Sequence, residues 1–159
     1  MEIEKKFRVK SLPGNLSEYP VRHIEQGYLC EEPVVRIRKS NDDYILTYKS
    51  KTEAGDKPGV RVRNEIEADL TEESYDHLKQ KIDHYIIEKD RYMIPLPEGR
   101  TAELDIFKGR LEGLIIVEVE FPDEETAAGF VPPGWFGEDI SLDGRFSNSY
   151  LQSLESMEL

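Results

Sequence analysis

The stretch VRVRNEIEA (residues 60–68) places charged and apolar side chains on opposite faces of an extended chain. Residues two apart in a strand point the same way, so this period of two predicts a β-strand. One face carries the charged Arg61, Arg63, Glu65 and Glu67, against the apolar Val60, Val62, Ile66 and Ala68 on the other. An antiparallel sheet with one wet face is the usual cause of such alternation in a single strand.

The same alternation recurs along the chain and predicts an α+β protein that is mainly β. The predicted strands are residues 2–9, 22–30, 34–39, 43–51, 60–69, 85–94, 101–107 and 113–121. Helices are predicted at 71–82, with Thr71 as its cap, at 123–130, and from about Ser147. The last helix would place Tyr150, Leu151, Leu154 and Met157 on one side. Because no linker or repeat interrupts residues 1–159, we expect one domain.

Seven of the eight predicted strands carry paired charges on one face, with almost no Ser, Thr, Asn or Gln. An ordinary wet face mixes all polar types, whereas eight antiparallel strands can close into a barrel around one small ligand. Turned inward, these positions would bring ten basic and eight acidic side chains into one cavity. Burial of so many charges requires partners. Phosphates suit Lys and Arg, and Mg²⁺ or Mn²⁺ suits clustered carboxylates, which indicates metal-assisted phosphoryl or nucleotidyl transfer.

The overall composition argues against several other classes of protein. A net charge of -12 disfavours a nucleic-acid-binding surface, which needs a positive footprint. Cys30 is the single cysteine, so no intrachain disulfide can form, in keeping with a reducing compartment. The first residues lack a basic-then-apolar signal pattern, and the longest aliphatic run, LIIV (114–117), is too short to span a bilayer. We therefore expect a cytoplasmic protein without a membrane partner.

A set of short motifs resembles the CYTH superfamily, the triphosphate tunnel metalloenzymes. The family signature Glu-x-Glu-x-Lys is met by Glu2, Glu4 and Lys6. Further motifs follow in the order and spacing of the short bacterial members: EQGYL (25–29), VRIRK (35–39), TYKSK (47–51), RNEIE (63–67), EKDRY (88–92), ELDIF (103–107), GLIIVEVEF (113–121) and GRFSNSYL (144–151). The resemblance covers nearly the whole chain. It implies an eight-stranded antiparallel β-barrel, or tunnel, with helices packed outside and a C-terminal helix closing one end.

The resemblance also implies roles for individual residues. The matching metal ligands for Mg²⁺ or Mn²⁺ are Glu2, Glu4, Glu118 and Glu120. The matching triphosphate-binding residues are Lys6, Arg36, Arg38, Lys49, Lys51, Arg63, Lys89 and Arg91. Glu65 and Glu67 would complete a second metal site or orient the attacking water, and Tyr28 would sit near a tunnel lysine, so we place these three with Lys6 in the catalytic set. Glu103 and Asp105 match acidic positions of varying role, while Arg145, Ser147 and Asn148 are expected to be structural.

Hydrolysis of inorganic triphosphate is the activity that the resemblance implies, with nucleoside triphosphates as weaker substrates. Three alternatives stay open on the sequence alone: a class IV adenylyl cyclase, a thiamine triphosphatase, and a non-catalytic sensor of polyphosphate or nucleotides. Binding needs only the basic residues, whereas hydrolysis also needs the carboxylates, so the presence of both sets favours an enzyme. Small homodimers occur among the relatives, and no feature of the sequence dictates an oligomeric state.

Overall fold

The computed structural model describes residues 2–56 and 58–156, and within these ranges the chain forms nine strands and three α-helices. The expected packing of Met157 lies outside the described residues. The strands are β1 (Glu2–Val9), β2 (Val21–Cys30), β3 (Val34–Ser40), β4 (Asp43–Lys51), β5 (Arg61–Asp69), β6 (Ile87–Pro95), β7 (Thr101–Lys108), β8 (Ile115–Glu120) and β9 (Phe136–Asp139). The helices are α1 (Glu72–Lys79), α2 (Glu124–Ala128) and α3 (Asn148–Leu151).

The first eight strands close into an antiparallel barrel in the order β1–β5–β4–β3–β2–β6–β7–β8 and back to β1. Closure occurs at β1, which pairs with β5 over Glu2–Glu4 and with β8 over Glu4–Arg8. All eight predicted strands form, and the predicted fold class is confirmed. A closed barrel has no free edges, and each of its strands has one face towards the interior and one face towards the outside.

The inner face of the barrel changes from charged to apolar along its axis. On β6, residues Ile87, Lys89 and Arg91 share the inward face because of the two-residue period. Ile87 belongs to an apolar cluster with Phe107, and Phe146 and α3 of the C-terminal segment pack into the same cluster. The C-terminal segment therefore closes the apolar end of the barrel, as predicted, although α3 is only one turn long and ends at Leu151.

The outward face carries a second apolar core on one side of the barrel. Val117 and Leu104 are fully buried there beneath Ala127 of α2 and Phe136 of β9. The rings of Phe7 and Phe136 stand 5.0 Å apart between centroids. β9 was not predicted; it pairs with β1 beyond the point where β5 leaves it.

Helix α1 covers the outer face of β3 and β4. Its predicted cap is confirmed as a capping box, since the Thr71 hydroxyl accepts from the Ser74 amide at 3.1 Å and the Ser74 hydroxyl accepts from the Thr71 amide at 2.9 Å. Tyr75 is buried beneath the helix and donates to Glu25 at 2.8 Å. Both α1 and α2 are shorter than expected. None of the described helices has the length and apolar character needed to cross a membrane.

Candidate active site

A cavity of about 190 Å³ occupies the charged half of the barrel. Side chains from all eight barrel strands line it, together with two residues of α3. The lining residues are Glu2, Glu4, Lys6, Tyr28, Val34, Arg36, Arg38, Lys49, Arg63, Glu65, Glu67, Arg91, Glu103, Glu118, Glu120, Asn148 and Ser149. Most of the site residues expected from the sequence thus meet in one hollow.

Two expected triphosphate-binding residues do not line this cavity. Lys51, the last residue of β4, is exposed and lies 3.8 Å from Glu32 outside the cavity. Lys89 is buried behind the cavity wall, with its ammonium 2.8 Å from Asp105 and above the ring of Phe107. The alternation placed both lysines on the correct face of their strands but could not give their depth along the barrel axis.

Carboxylates converge where β1, β7 and β8 lie side by side. In the strand register, Glu4 is opposite Glu120, and Glu118 is opposite both Lys6 and Glu103. Burial raises the pKa of Glu4 to about 8, and the neighbouring Glu118 and Glu2 add to the rise. Burial also raises the pKa of Glu120 to about 7, helped by the nearby carboxylates Glu103, Glu2 and Glu65. These carboxylates therefore disfavour one another's ionisation.

Glu118 behaves differently within this cluster. Burial opposes its ionisation, but Lys6 and Arg91 outweigh that effect, and its pKa lies well below the ordinary value. The Lys6 ammonium is 3.5 Å from Glu118 and donates to the carbonyl oxygen of Phe146 at 3.2 Å. The neighbouring Glu4 carboxyl also lowers the pKa of Glu118.

The chemistry of the carboxylates fits a hard divalent cation. Oxygen ligands are those that Mg²⁺ and Mn²⁺ prefer, and the raised pKa values of Glu4 and Glu120 are what a cation would reverse. Among the described residues, no three acidic, His or Cys side chains already converge in metal-binding geometry. Lys49 instead lies between two of the carboxylates, 2.9 Å from Glu2 and 3.3 Å from Glu65. A lysine ammonium thus neutralises part of the cluster in this structure.

The opposite wall of the cavity is formed by guanidinium groups. Arg36 and Arg38 project from β3, and Arg91 projects from β6. Burial lowers the pKa of Arg38 to about 9, and the like charges of Arg36 and Arg91 lower it further. Among the residues that the structure describes, Arg38 donates from Nε and Nη2 to the uncharged Oε1 of Gln26 alone, at 2.9 and 2.7 Å. The Nε of Arg36 is buried without a hydrogen-bond partner among the described residues. Buried cations with unused donors define an anion-binding wall.

Three further residues line the cavity: Tyr28, which was predicted to do so, and Asn148 and Ser149, which were not. Tyr28 is buried opposite Arg36 in the β2–β3 register. Asn148, expected to be structural, and Ser149 both reach the cavity from α3. Their contribution had no signal in the sequence, because it depends on the C-terminal segment returning to the barrel. Arg145 does remain outside and pairs with Asp143 at the surface.

A closed antiparallel barrel with a cation-lined wall facing a carboxylate cluster defines the class of β-tunnel proteins with an internal polyanion site. No family model matches the chain. The chain is 38% identical over 154 residues to the inorganic triphosphatase of Nitrosomonas europaea, covering 94% of this chain and 95% of that protein. It is 37% identical over 155 residues to the inorganic triphosphatase of Acetivibrio thermocellus, covering 94% and 92% respectively.

The solved structures agree with these relatives. The crystal structure of the inorganic triphosphatase NE1496 superposes with a TM-score of 0.68 at 33% identity, covering 100% of this chain and 96% of that one. The chain therefore belongs to the inorganic triphosphatase family, which confirms the resemblance found in its sequence.

Proposed function

We propose that the protein hydrolyses inorganic triphosphate to diphosphate and phosphate, with Mg²⁺ or Mn²⁺ as the activating cation. The observation that carries the proposal is the meeting of an arginine wall and a carboxylate cluster in one cavity of about 190 Å³. A linear polyanion with a bound cation matches both sets of charges, whereas a simple anion site would need only the arginines. Two relatives that match over most of their length carry the name inorganic triphosphatase.

Triphosphate is bound by the basic side chains that line the cavity. Arg36, Arg38, Arg63 and Arg91 present planar donors to the phosphoryl oxygens, and Lys6 and Lys49 add point charges. Lys51 acts only at the entrance, and Lys89 acts only from behind the wall, because neither reaches the cavity. Holding the chain of phosphoryl groups in a fixed line accounts for most of the catalysis in such reactions.

Glu2, Glu4, Glu118 and Glu120 are the residues that would hold the divalent cation. When bound, the cation neutralises phosphate oxygens and lowers the pKa of a water molecule. Glu65 and Glu67, on β5, orient the attacking water and accept its proton. The new bond forms between the water oxygen and the terminal phosphorus, and the bond from that phosphorus to the bridging oxygen breaks. The diphosphate leaves with the electron pair, while Lys6 and Tyr28 donate to its oxygens.

The site also bears on partners and location. The basic groups lie inside a cavity too small for a nucleic acid strand, while the chain as a whole carries a net charge of -12. Both features disfavour nucleic acid as a partner. Cys30 is free, which suits a cytoplasmic location, where thiols stay reduced.

Phosphate release from purified, chelator-washed protein tests the proposal. Triphosphate, ATP and thiamine triphosphate are each supplied with Mg²⁺, with Mn²⁺ and with EDTA. We expect the highest kcat/KM for triphosphate and no turnover in EDTA. Cyclic AMP from ATP would instead identify a cyclase, and preferred cleavage of thiamine triphosphate would identify a thiamine triphosphatase. Tight binding of triphosphate without turnover would identify a sensor, and any of these three results would overturn the proposal.

A further inference from the structure

Asp105 lies behind the cavity wall and contacts two buried cations. It is 1% exposed and is absent from the cavity lining. We infer that Asp105 is a positioning residue for triphosphate hydrolysis: it fixes the orientation in which Arg91 presents its guanidinium to the substrate. This inference rests on the proposed function, since it names a residue that the proposed reaction depends on without touching the substrate.

The contacts of Asp105 leave Arg91 little freedom. One carboxylate oxygen accepts from Arg91 Nε at 2.7 Å and the other accepts from Nη2 at 2.9 Å. Arg91 and Asp105 are directly opposite in the β6–β7 register, so the strands themselves hold the two groups together. Two parallel hydrogen bonds define the plane of a guanidinium as well as its position.

The N–H groups of Arg91 that Asp105 does not occupy are available to bind the substrate. A guanidinium has five N–H groups. Asp105 takes two of them, and Glu103 forms an ion pair with Arg91 at 2.9 Å from Nη1. Within the described residues, at least one N–H on each terminal nitrogen remains available, and Arg91 lines the cavity. A fixed pair of N–H donors matches two oxygens of one phosphoryl group.

Asp105 also compensates the charge behind the wall. Lys89 Nζ lies 2.8 Å from its second oxygen, and Lys89 is 1% exposed. Arg91 and Lys89 together hold the pKa of Asp105 below its ordinary value against the effect of burial. Without Asp105, two buried cations would stand side by side, and their repulsion would displace Arg91, the one closer to the substrate.

Stability alone does not account for this buried group of charges. Buried ion pairs are often no more stabilising than apolar residues of similar volume. The next interior positions along the same strands show what the fold accepts, since Ile87 precedes Lys89 and Phe107 follows Asp105 on the inward face, and both are apolar. The charges occur only where the interior adjoins the cavity, which indicates a role in the site.

A double-mutant cycle of Asp105→Asn and Arg91→Ala tests the inference through kcat/KM for triphosphate. We expect Asp105→Asn to lower kcat/KM roughly 10- to 100-fold, the range for loss of a charge-assisted hydrogen bond. In the Arg91→Ala background the same change should have almost no further effect, because there is no guanidinium left to orient. Equal losses in both backgrounds would mean that Asp105 acts only on the fold, and would overturn the inference.

Asp90→Asn is the matched control. Asp90 precedes Arg91 on β6 but faces outward, where it pairs with His23 and Lys108. The Asp90→Asn variant loses two ion pairs, but the contacts of Arg91 are unchanged. Its kcat/KM should therefore equal that of the wild type. If Asp105→Asn does not fold, Lys89→Met is added to both arms of the cycle, since it removes the ammonium that would be left without a counter-charge.

Two readouts separate this inference from the proposed function. The cycle is repeated with calorimetric binding of triphosphate, so coupling is measured even in a protein that does not turn over. Hydrogen exchange at the Arg91 Nε–H, assigned by its loss in Arg91→Ala, should be slow in the wild type and faster in Asp105→Asn. An unchanged exchange rate would refute the inference, whereas absence of wild-type turnover would refute only the proposed function.

Discussion

Replacing Glu4 by glutamine should make the metal-free protein more stable and abolish its turnover. Glu4 lies on β1 among Glu2, Glu118 and Glu120, and is 7% exposed. Glutamine has nearly the same shape as the protonated acid and carries no charge that the neighbouring carboxylates would repel. It is a poor ligand for a hard cation, however, because it carries no charge. Opposite effects on stability and activity are the signature of a group placed for function.

The magnitude of the stability gain follows from the pKa of Glu4, which burial and its neighbours raise from 4.5 to about 8. The folded protein then binds this proton more tightly than the unfolded chain does. Wild-type stability therefore falls as the pH rises from 4.5 through 8, at up to about 1.4 kcal/mol per pH unit. Glutamine does not titrate, so at pH 7 the free energy of unfolding of the variant should exceed that of the wild type by about 3 kcal/mol. That gain corresponds to a rise in Tm of roughly 6–12 °C for a chain of this size.

The assay is thermal unfolding of both proteins in EDTA at several pH values between 4.5 and 8. The difference in unfolding free energy should be near zero at pH 4.5 and should widen steadily towards pH 8. Phosphate release with Mg²⁺ is measured on the same preparations. Glu88→Gln, an exposed change on the outward face of β6, serves as the control and should alter neither quantity.

Either of two results would refute this reasoning. A stability difference that stays flat with pH would show that Glu4 is ionised in the folded protein and that its neighbours do not repel it. Wild-type turnover in Glu4→Gln would show that the carboxylate does not hold the cation. A variant that is both less stable and inactive would point to a structural role instead.

Three further predictions concern the substrate, the cation and the fold. Arg38→Ala should raise the KM for triphosphate roughly tenfold or more in steady-state kinetics, because a buried phosphate-pairing cation is lost; an unchanged KM would mean that Arg38 does not contact triphosphate. Lys49→Met should tighten Mn²⁺ binding roughly tenfold in calorimetry without triphosphate, since the ammonium between Glu2 and Glu65 competes with the metal; weaker binding would contradict this. Thr71→Ala should lower the unfolding free energy by about 1 kcal/mol in urea and leave kcat unchanged, because it removes only the cap of α1.

The strands of the barrel were predictable because their signal is local. A period of two is visible in each segment by itself, and paired charges on that period identified the inward face. The capping role of Thr71 was also predictable, since a capping residue acts within one turn of the helix. β9 was missed for the opposite reason. Its four residues, FGED (136–139), show no alternation, and it exists because Phe136 and Asp139 pair with β1 from the far end of the chain.

The candidate site was predictable in composition but not in depth. Alternation assigns Lys49 and Lys51 to the same face, yet Lys51 lies beyond the cavity, where β4 ends. Alternation likewise cannot distinguish Arg91, which lines the cavity, from Lys89, which lies behind it beside Asp105. The distance along a barrel axis depends on the stagger of every strand, and no single segment carries that information.

The basic side chains and the carboxylates of the cavity are partly paired with each other in this structure. This pairing couples the binding of triphosphate to the binding of the divalent cation. Lys49 occupies Glu2 and Glu65, so a cation that binds these carboxylates releases an ammonium into the cavity. The released ammonium can then pair with triphosphate. Conversely, when triphosphate pairs with Lys49, Glu2 and Glu65 become available to the cation. Because coupling between two binding events is reciprocal, each ligand should raise the affinity for the other by the same factor. The coupling should shrink in Lys49→Met, where no ammonium is exchanged between the two walls.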